Sequence, residues 1–172
     1  MKIPIITTDR LTLRGWTNSD AEALFSLNSD PVFVKYLGNG QTLSREDSWR
    51  VMAMLTGHWA LKGFGLWAIE LNDTNEVIGR AGLWEPEGWP ATELGWGLSP
   101  KHWGKGYASE AASACLHWAF EELKLDSVIS IIHPENTASK KLATQLGEKY
   151  SHSRVINGVN LDIYKMTNPT QE

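Results

Sequence analysis

Trp103-Gly104-Lys105-Gly106-Tyr107 sets two glycines and a lysine directly ahead of a helix that starts near Ala108. Successive backbone N–H groups of such a turn converge on one concavity, and the first helical turn adds unbonded N–H donors and the positive end of its dipole. Phosphate or pyrophosphate suits that geometry. Gly104 and Gly106 let a ligand approach the backbone with no Cβ in the way, while Lys101 and Lys105 add countercharge. A P-loop would need a glycine where Ser99 stands and a Ser or Thr where Gly106 stands. A dinucleotide fingerprint would need a glycine at Ser109. Neither motif is present. The carboxylates able to move a proton nearby are Glu93, at the head of the strand that feeds this turn, and Glu85, in the Glu85–Pro90 connection. For Glu93 the plain alternative is an exposed strand-end glutamate; for the connection it is a solvated loop. The single cysteine, Cys115, sits in an apolar helical stripe and reads as an inert buried thiol. No pair of CxxC type and no H-E-x-x-H occurs, so no metal site is expected.

The elements around these residues follow from periodicity. Leu11-Thr12-Leu13-Arg14 alternates as a strand, and Ser19 with Glu22 has the spacing of a capping box for a first helix running to about Ser29. Asp30-Pro31 ends it, and an irregular segment from Val32 to Thr42 follows. Ser44 with Asp47 caps a second helix with an expected buried stripe of Trp49, Met52, Thr56 and Trp59, ending near Gly63. Phe64 to Leu71 and Glu76 to Trp84 form a hairpin across Asn72–Asn75. Glu93 to Leu98 is a strand whose glycines at 95 and 97 strip one face for close approach of a chain-like ligand. The helix after the turn carries Ala108, Ala111, Ala112, Cys115, Leu116, Ala119 and Leu123 on one face. Val128 to Ile132 reads as a strand buried on both faces, Asn136 as the cap of a last helix ending at Gly147, and Asn157-Gly158 as the turn of a closing hairpin.

The stretch Lys101–Gly106 resembles the acyl-CoA signature of the GNAT superfamily of N-acyltransferases: Arg or Gln, two residues, Gly, one residue, Gly or Ala, with Lys101 in the first position. LGWGLSPKHWGKGYASEA and the opening TDRLTLR are most similar to the branch containing the bacterial ribosomal-protein N-terminal (Rim-type) acetyltransferases. The resemblance implies an α+β fold of mixed α/β type. Its central, mostly antiparallel twisted sheet would have about seven strands flanked by about four helices, with a splayed parallel strand pair forming the acyl-CoA slot. It implies acetyl-CoA as cofactor and cosubstrate. Backbone groups of Trp96 and Leu98 would bind the pantetheine amides, as an added strand would. Backbone N–H groups of Trp103, Gly104, Lys105, Gly106, Tyr107 and Ala108 would hold the pyrophosphate, with Asn136 and Ser139 also in contact with the cofactor. Leu98 N–H would polarise the thioester carbonyl. By the same analogy Glu93 is the base, with Glu85 in reserve, and Phe33, Tyr36 and Trp59 belong to an acceptor wall, against a core reading that is the stronger for Trp59; Glu85 and its connection to Pro90 would form a second acceptor wall that attracts a cation. Two positions depart from the family: Ala143 stands where a tyrosine commonly protonates the leaving thiolate, and Gly147-Glu148 stands where Gly-Phe is common.

With 172 residues the chain is expected to form one N-acetyltransferase domain over 1–168 with a tail at 169–172. A formal charge of −4 gives no broad basic surface for nucleic acid and is compatible with a cationic acceptor. The apolar run Ile3–Ile6 is too short for a signal segment and no stretch has transmembrane length, so a cytoplasmic protein without membrane attachment is expected. Dimers are common in the branch, so a homodimer through the last hairpin or an exposed tryptophan is one expected partner state. Three functional readings remain. The favoured one is acetylation of a protein N-terminal α-amine, whose pKa near 8 makes it easier to deprotonate than a lysine at about 10.4. Another is acetylation of a small amine such as a polyamine, amino acid or antibiotic. The last is a non-catalytic acyl-CoA-binding module.

Overall fold

The alternation in Leu11–Arg14 is an alternation of burial: Leu11 and Leu13 are fully buried, with Thr12 and Arg14 half-buried between them. The computed structural model describes residues 2–169, so most of the expected tail lies outside the described residues. That strand, β2 (Leu11–Arg14), pairs antiparallel with the two-residue β1 (Ile6–Thr7) and with β3 (Leu66–Leu71). β4 (Val77–Trp84) and β5 (Glu93–Leu98) extend the antiparallel sheet, β6 (Ser127–Ile132) runs parallel to β5, and the hairpin of β7 (Lys149–Ile156) and β8 (Val159–Thr167) closes it. The strand order is β1-β2-β3-β4-β5-β6-β8-β7. Asn157 and Gly158 both have positive φ, 50° and 80°, as a two-residue hairpin turn of matching twist requires.

Helices cover both faces. α4 (Tyr107–Glu121) lays Ala111, Ala112, Cys115 and Ala119 on one face, where small side chains bring it close to Leu94, Leu98 and Ile78. Burial pushes the Cys115 thiol up, so it stays protonated. α5 (Thr137–Leu146) packs beside α4 and β6. On the other face lie α1 (Ala21–Asn28), α2 (Pro31–Val34) and α3 (Arg45–Lys62). Trp59, Trp67 and Trp118 meet in tilted and edge-to-face pairs with centroids 4.7 to 5.9 Å apart, which places Trp59 in the core.

Several expectations about these helices are corrected. The box before α1 is Thr17–Asp20, not Ser19–Glu22: the Asp20 carboxylate accepts from the Thr17 N–H at 2.8 Å and from Arg14, while Glu22 is exposed and reaches Arg45. Arg14 also binds Glu70, so one guanidinium ties β2, β3 and the start of α1 together. The irregular segment contains α2, begun by Pro31 and capped by the Asp30 carboxylate on Val32 N–H. The buried face of α3 is Ser48, Met52, Leu55 and Trp59; Trp49 and Thr56 are exposed. The short β1 and α2 bring the totals to eight strands and five α-helices among the described residues. Among the described residues no helix is long and apolar enough to cross a membrane.

Candidate active site

β5 and β6 share one paired position, Glu93 opposite Ile129, with Ile129 N–H bonded to Thr92 O at 3.0 Å. The next rung is taken over by side chains. Ser130 Oγ lies 2.7 Å from Leu94 O, and Ile131 N–H donates to the Glu93 carboxylate. The two strands therefore fork, and the edge of β5 beyond Leu94 has no strand beside it. Ser99 N–H bonds Ile78 O of β4, so by alternation Gly95 and Gly97 face β4 while Trp96 and Leu98 turn their N–H groups into the fork. Leu98 O accepts the Trp103 indole N–H at 2.8 Å. Trp96 has no backbone partner on this side among the described residues.

At the far end of β5, Pro100–His102 forms a 3-10 turn, and Gly104 and Gly106 carry φ of 73° and 82°. These left-handed glycines fold the backbone so that the N–H groups ahead of Tyr107 and Ala108 open outward with the α4 N-terminus. Lys101, Trp103 and Lys105 are exposed around it. The turn is held from behind by a residue that pattern reading left without a role. Arg10 donates to Lys105 O at 2.8 Å, pairs with Glu110 at 2.6 Å and lies 4.6 Å over the Tyr107 ring, while Thr8 also bonds Glu110. Arg10→Ala is expected to weaken acetyl-CoA binding by about five- to tenfold, with little change in melting temperature because the pair is half-exposed. Calorimetric titration with acetyl-CoA checks this.

A cavity of about 410 Å³ runs along the fork, lined in part by Tyr36, Arg80, Trp89, Glu93, Asn136 and Ser139. Asn136 caps α5 through Ser139 N–H at 3.1 Å, so the cap and the cavity wall are the same residues. Tyr36 stacks on His133 with centroids 5.0 Å apart and is the one tyrosine in the lining. Phe33 is 6% exposed and does not line the cavity; its ring sits 3.3 Å from where a Gly97 Cβ would stand. Glu85 is held by the Thr92 hydroxyl and by Lys62 at 3.7 Å, away from the lining.

Glu93 is inside. Burial pushes its carboxyl up to about 7, against the Trp89 indole N–H at 2.8 Å and the Ile131 N–H, and the nearby Glu148 carboxyl adds repulsion. Glu148 is 2% exposed and is itself pushed up to about 7 by burial. Ser130 Oγ lies 2.9 Å from its Oε1, so the one hydrogen of that hydroxyl is shared between Leu94 O and the Glu148 carboxyl. The departure at Gly147-Glu148 thus puts a second buried carboxyl behind the fork.

A family model described as an acetyltransferase (GNAT) domain matches residues 10–149. The chain belongs to the GNAT acetyltransferases. The N-acetyltransferase p20 of Bacillus licheniformis is 36% identical over 142 residues, covering 81% of this chain and 79% of that one. The N-acetyltransferase YoaA of Bacillus subtilis is 32% identical, covering 84% and 82%. A GNAT-like likeness extends to the solved acetyltransferase of Agrobacterium tumefaciens, with a TM-score of 0.85 and 32% identity over 96% of this chain and 95% of that one. As a GNAT enzyme the protein transfers an acetyl group from acetyl-CoA to an amine.

Proposed function

We propose that the protein acetylates the primary amine of a small molecule within a ternary complex, with Glu93 as the base. The observation that carries this reading is a carboxyl poised near 7 at the fork, inside the cavity. Acetyl-CoA supplies the activated acetyl thioester. The open edge of β5 at Trp96 would bind the pantetheine amides, and the turn from Trp103 to Ala108 with Lys101 and Lys105 would hold the pyrophosphate. Asn136 and Ser139 would close the slot from α5, and the Leu98 N–H would polarise the thioester carbonyl. Glu93 takes the proton of the acceptor ammonium, about one unit uphill for an α-amine and about three for an alkylamine. Glu85 has no part in this scheme, and Phe33 shapes the wall only from behind.

With Ala143 buried where the family tyrosine would stand, the proton for the leaving thiolate is assigned to Tyr36, the tyrosine in the cavity wall. Tyr36→Phe is expected to lower kcat about 10- to 100-fold with unchanged acetyl-CoA affinity. Unchanged kcat in single-turnover measurements would leave Tyr36 as a wall residue.

The small-molecule reading is preferred because polar groups of α1 and β4, Asn28 and Arg80, lie within the cavity lining. The N-terminal α-amine reading draws on the Rim-like stretch around the turn; the RimL acetyltransferase of the ribosomal L7/L12 protein, 19% identical with a TM-score of 0.81, shares the fold alone. Acetyl-CoA-dependent thiol release against N-terminal peptides, polyamines, amino acids and aminoglycosides tests the proposal. Release with a small amine and not with peptides is expected; release with peptides alone would overturn the acceptor class, and binding without release would leave the acyl-CoA-binding module.

A further inference from the structure

Arg80 lies at the middle of β4, lines the cavity, and has no hydrogen bond or ion pair among the described residues. Its one charged-group contact is the face of Phe33, 5.7 Å from the guanidinium carbon. Arg10, Arg14, Arg45 and Arg50 each bind a carboxylate of the chain. Burial without a countercharge pulls the Arg80 guanidinium down to about 10. A second orphan lines the same cavity. Asn28, at the end of α1, is 2% exposed and its side-chain Nδ2 has no acceptor. Buried donors such as the Asn28 amide are ordinarily satisfied, and a cation with little water around it is ordinarily paired; Arg80 is half-buried, in the cavity wall. Two donors, one of them charged, left open in one cavity match the oxygens of an anion.

Resting on the acetyl-transfer reading above, we propose that the acceptor is a primary amine carrying a carboxylate or phosphate group, and that Arg80 with Asn28 anchors that group while Glu93 receives the ammonium. The spacing limits the acceptor further. Arg80 pairs opposite Gly97 and Trp84 opposite Glu93, so the two charged residues start four strand positions apart, about 13 Å, and form no ion pair with each other. An amine separated from its anion by a chain of several bonds spans that separation without drawing the two side chains together.

The probes are 6-aminohexanoate and 6-aminohexyl phosphate against their uncharged analogues, 6-aminohexanamide and hexylamine, at fixed acetyl-CoA. At least one anionic probe is expected to exceed its neutral analogue by about 10- to 100-fold in kcat/KM. Arg80→Met should bring that ratio to about one while acetyl-CoA affinity by calorimetry stays the same, and Arg80→Lys should keep part of it. The carboxylate and phosphate arms identify the anion. Without ligand, Arg80→Met should melt no lower than the parent, because it removes an unpaired, half-buried charge. Equal rates for charged and neutral probes overturn the proposal, as does a fall in acetyl-CoA affinity or in melting temperature in Arg80→Met. Turnover of neutral amines without preference removes this proposal alone; acetyl-CoA binding with no amine turned over removes the acetyl-transfer reading with it.

Discussion

Glu93→Gln is expected to lower kcat by about 100- to 1,000-fold with an alkylamine acceptor while acetyl-CoA affinity stays within about twofold. The amide keeps the size of the carboxyl and still accepts the Trp89 indole N–H, now 2.8 Å from the carboxylate. The fork is retained because Ser130 and not Glu93 occupies Leu94 O. What is lost is the ability to take a proton. An acceptor whose amine is already half-deprotonated at the assay pH should suffer less, so the loss should shrink as acceptor pKa falls. Steady-state rates with a series of amines of graded pKa check this; a loss of equal size across the series would assign Glu93 a structural part.

Glu148→Gln should shift the pH profile and stabilise the ligand-free protein. Burial comes first among the causes that raise the Glu148 carboxyl to about 7, well above its unfolded value near 4.5. A group raised in this way stabilises the fold fully below its unfolded pKa, and that contribution is lost as pH rises through the folded value. The wild-type protein therefore loses stability between about 4.5 and 7, by up to about 3 kcal/mol from this carboxyl. Glutamine mimics the protonated form toward Ser130 and titrates nowhere in that range, so at pH 8 the variant should melt about 5 °C higher, with little difference at pH 5. Because Glu148 also repels charge on Glu93, its removal should move the ascending limb of kcat/KM to lower pH. Calorimetric melting at the two pH values, together with the rate profile, checks both parts.

What could be read along the chain was what local chemistry decides. The glycine turn, the Glu93–Leu98 strand with its end residues, the Ser44 cap and the Asn157-Gly158 hairpin each depend on neighbours within a few positions. The buried face of α3 does not. Trp49, Met52, Thr56 and Trp59 have helical spacing, and so do Ser48, Met52, Leu55 and Trp59; the packing of Leu24 and Ala68 selects the second set. Likewise Ser19–Glu22 and Thr17–Asp20 both fit a capping box, and Arg14 from β2 picks Asp20. In the site, the place of Glu93 followed from the strand, whereas its proton affinity is set first by burial and then by Trp89, Ile131 and Glu148 from three other segments. Glu85 stands as near in sequence and was drawn off by Thr92 and Lys62. The signal for Arg80 was a charge in the middle of an otherwise apolar strand, a pattern that only the cavity beside it gives meaning.

The pH dependence of acetyl-CoA-dependent thiol release, followed with one good amine acceptor from pH 5.5 to 9.5 in wild type and Glu93→Gln, tests the account most directly. An ascending limb near 7 in wild type, lost in Glu93→Gln, is the predicted result. A wild-type limb that lies only at the acceptor's own pKa and is unchanged in Glu93→Gln would mean that the amine gives its proton to water, and would contradict the assignment of Glu93 as the base.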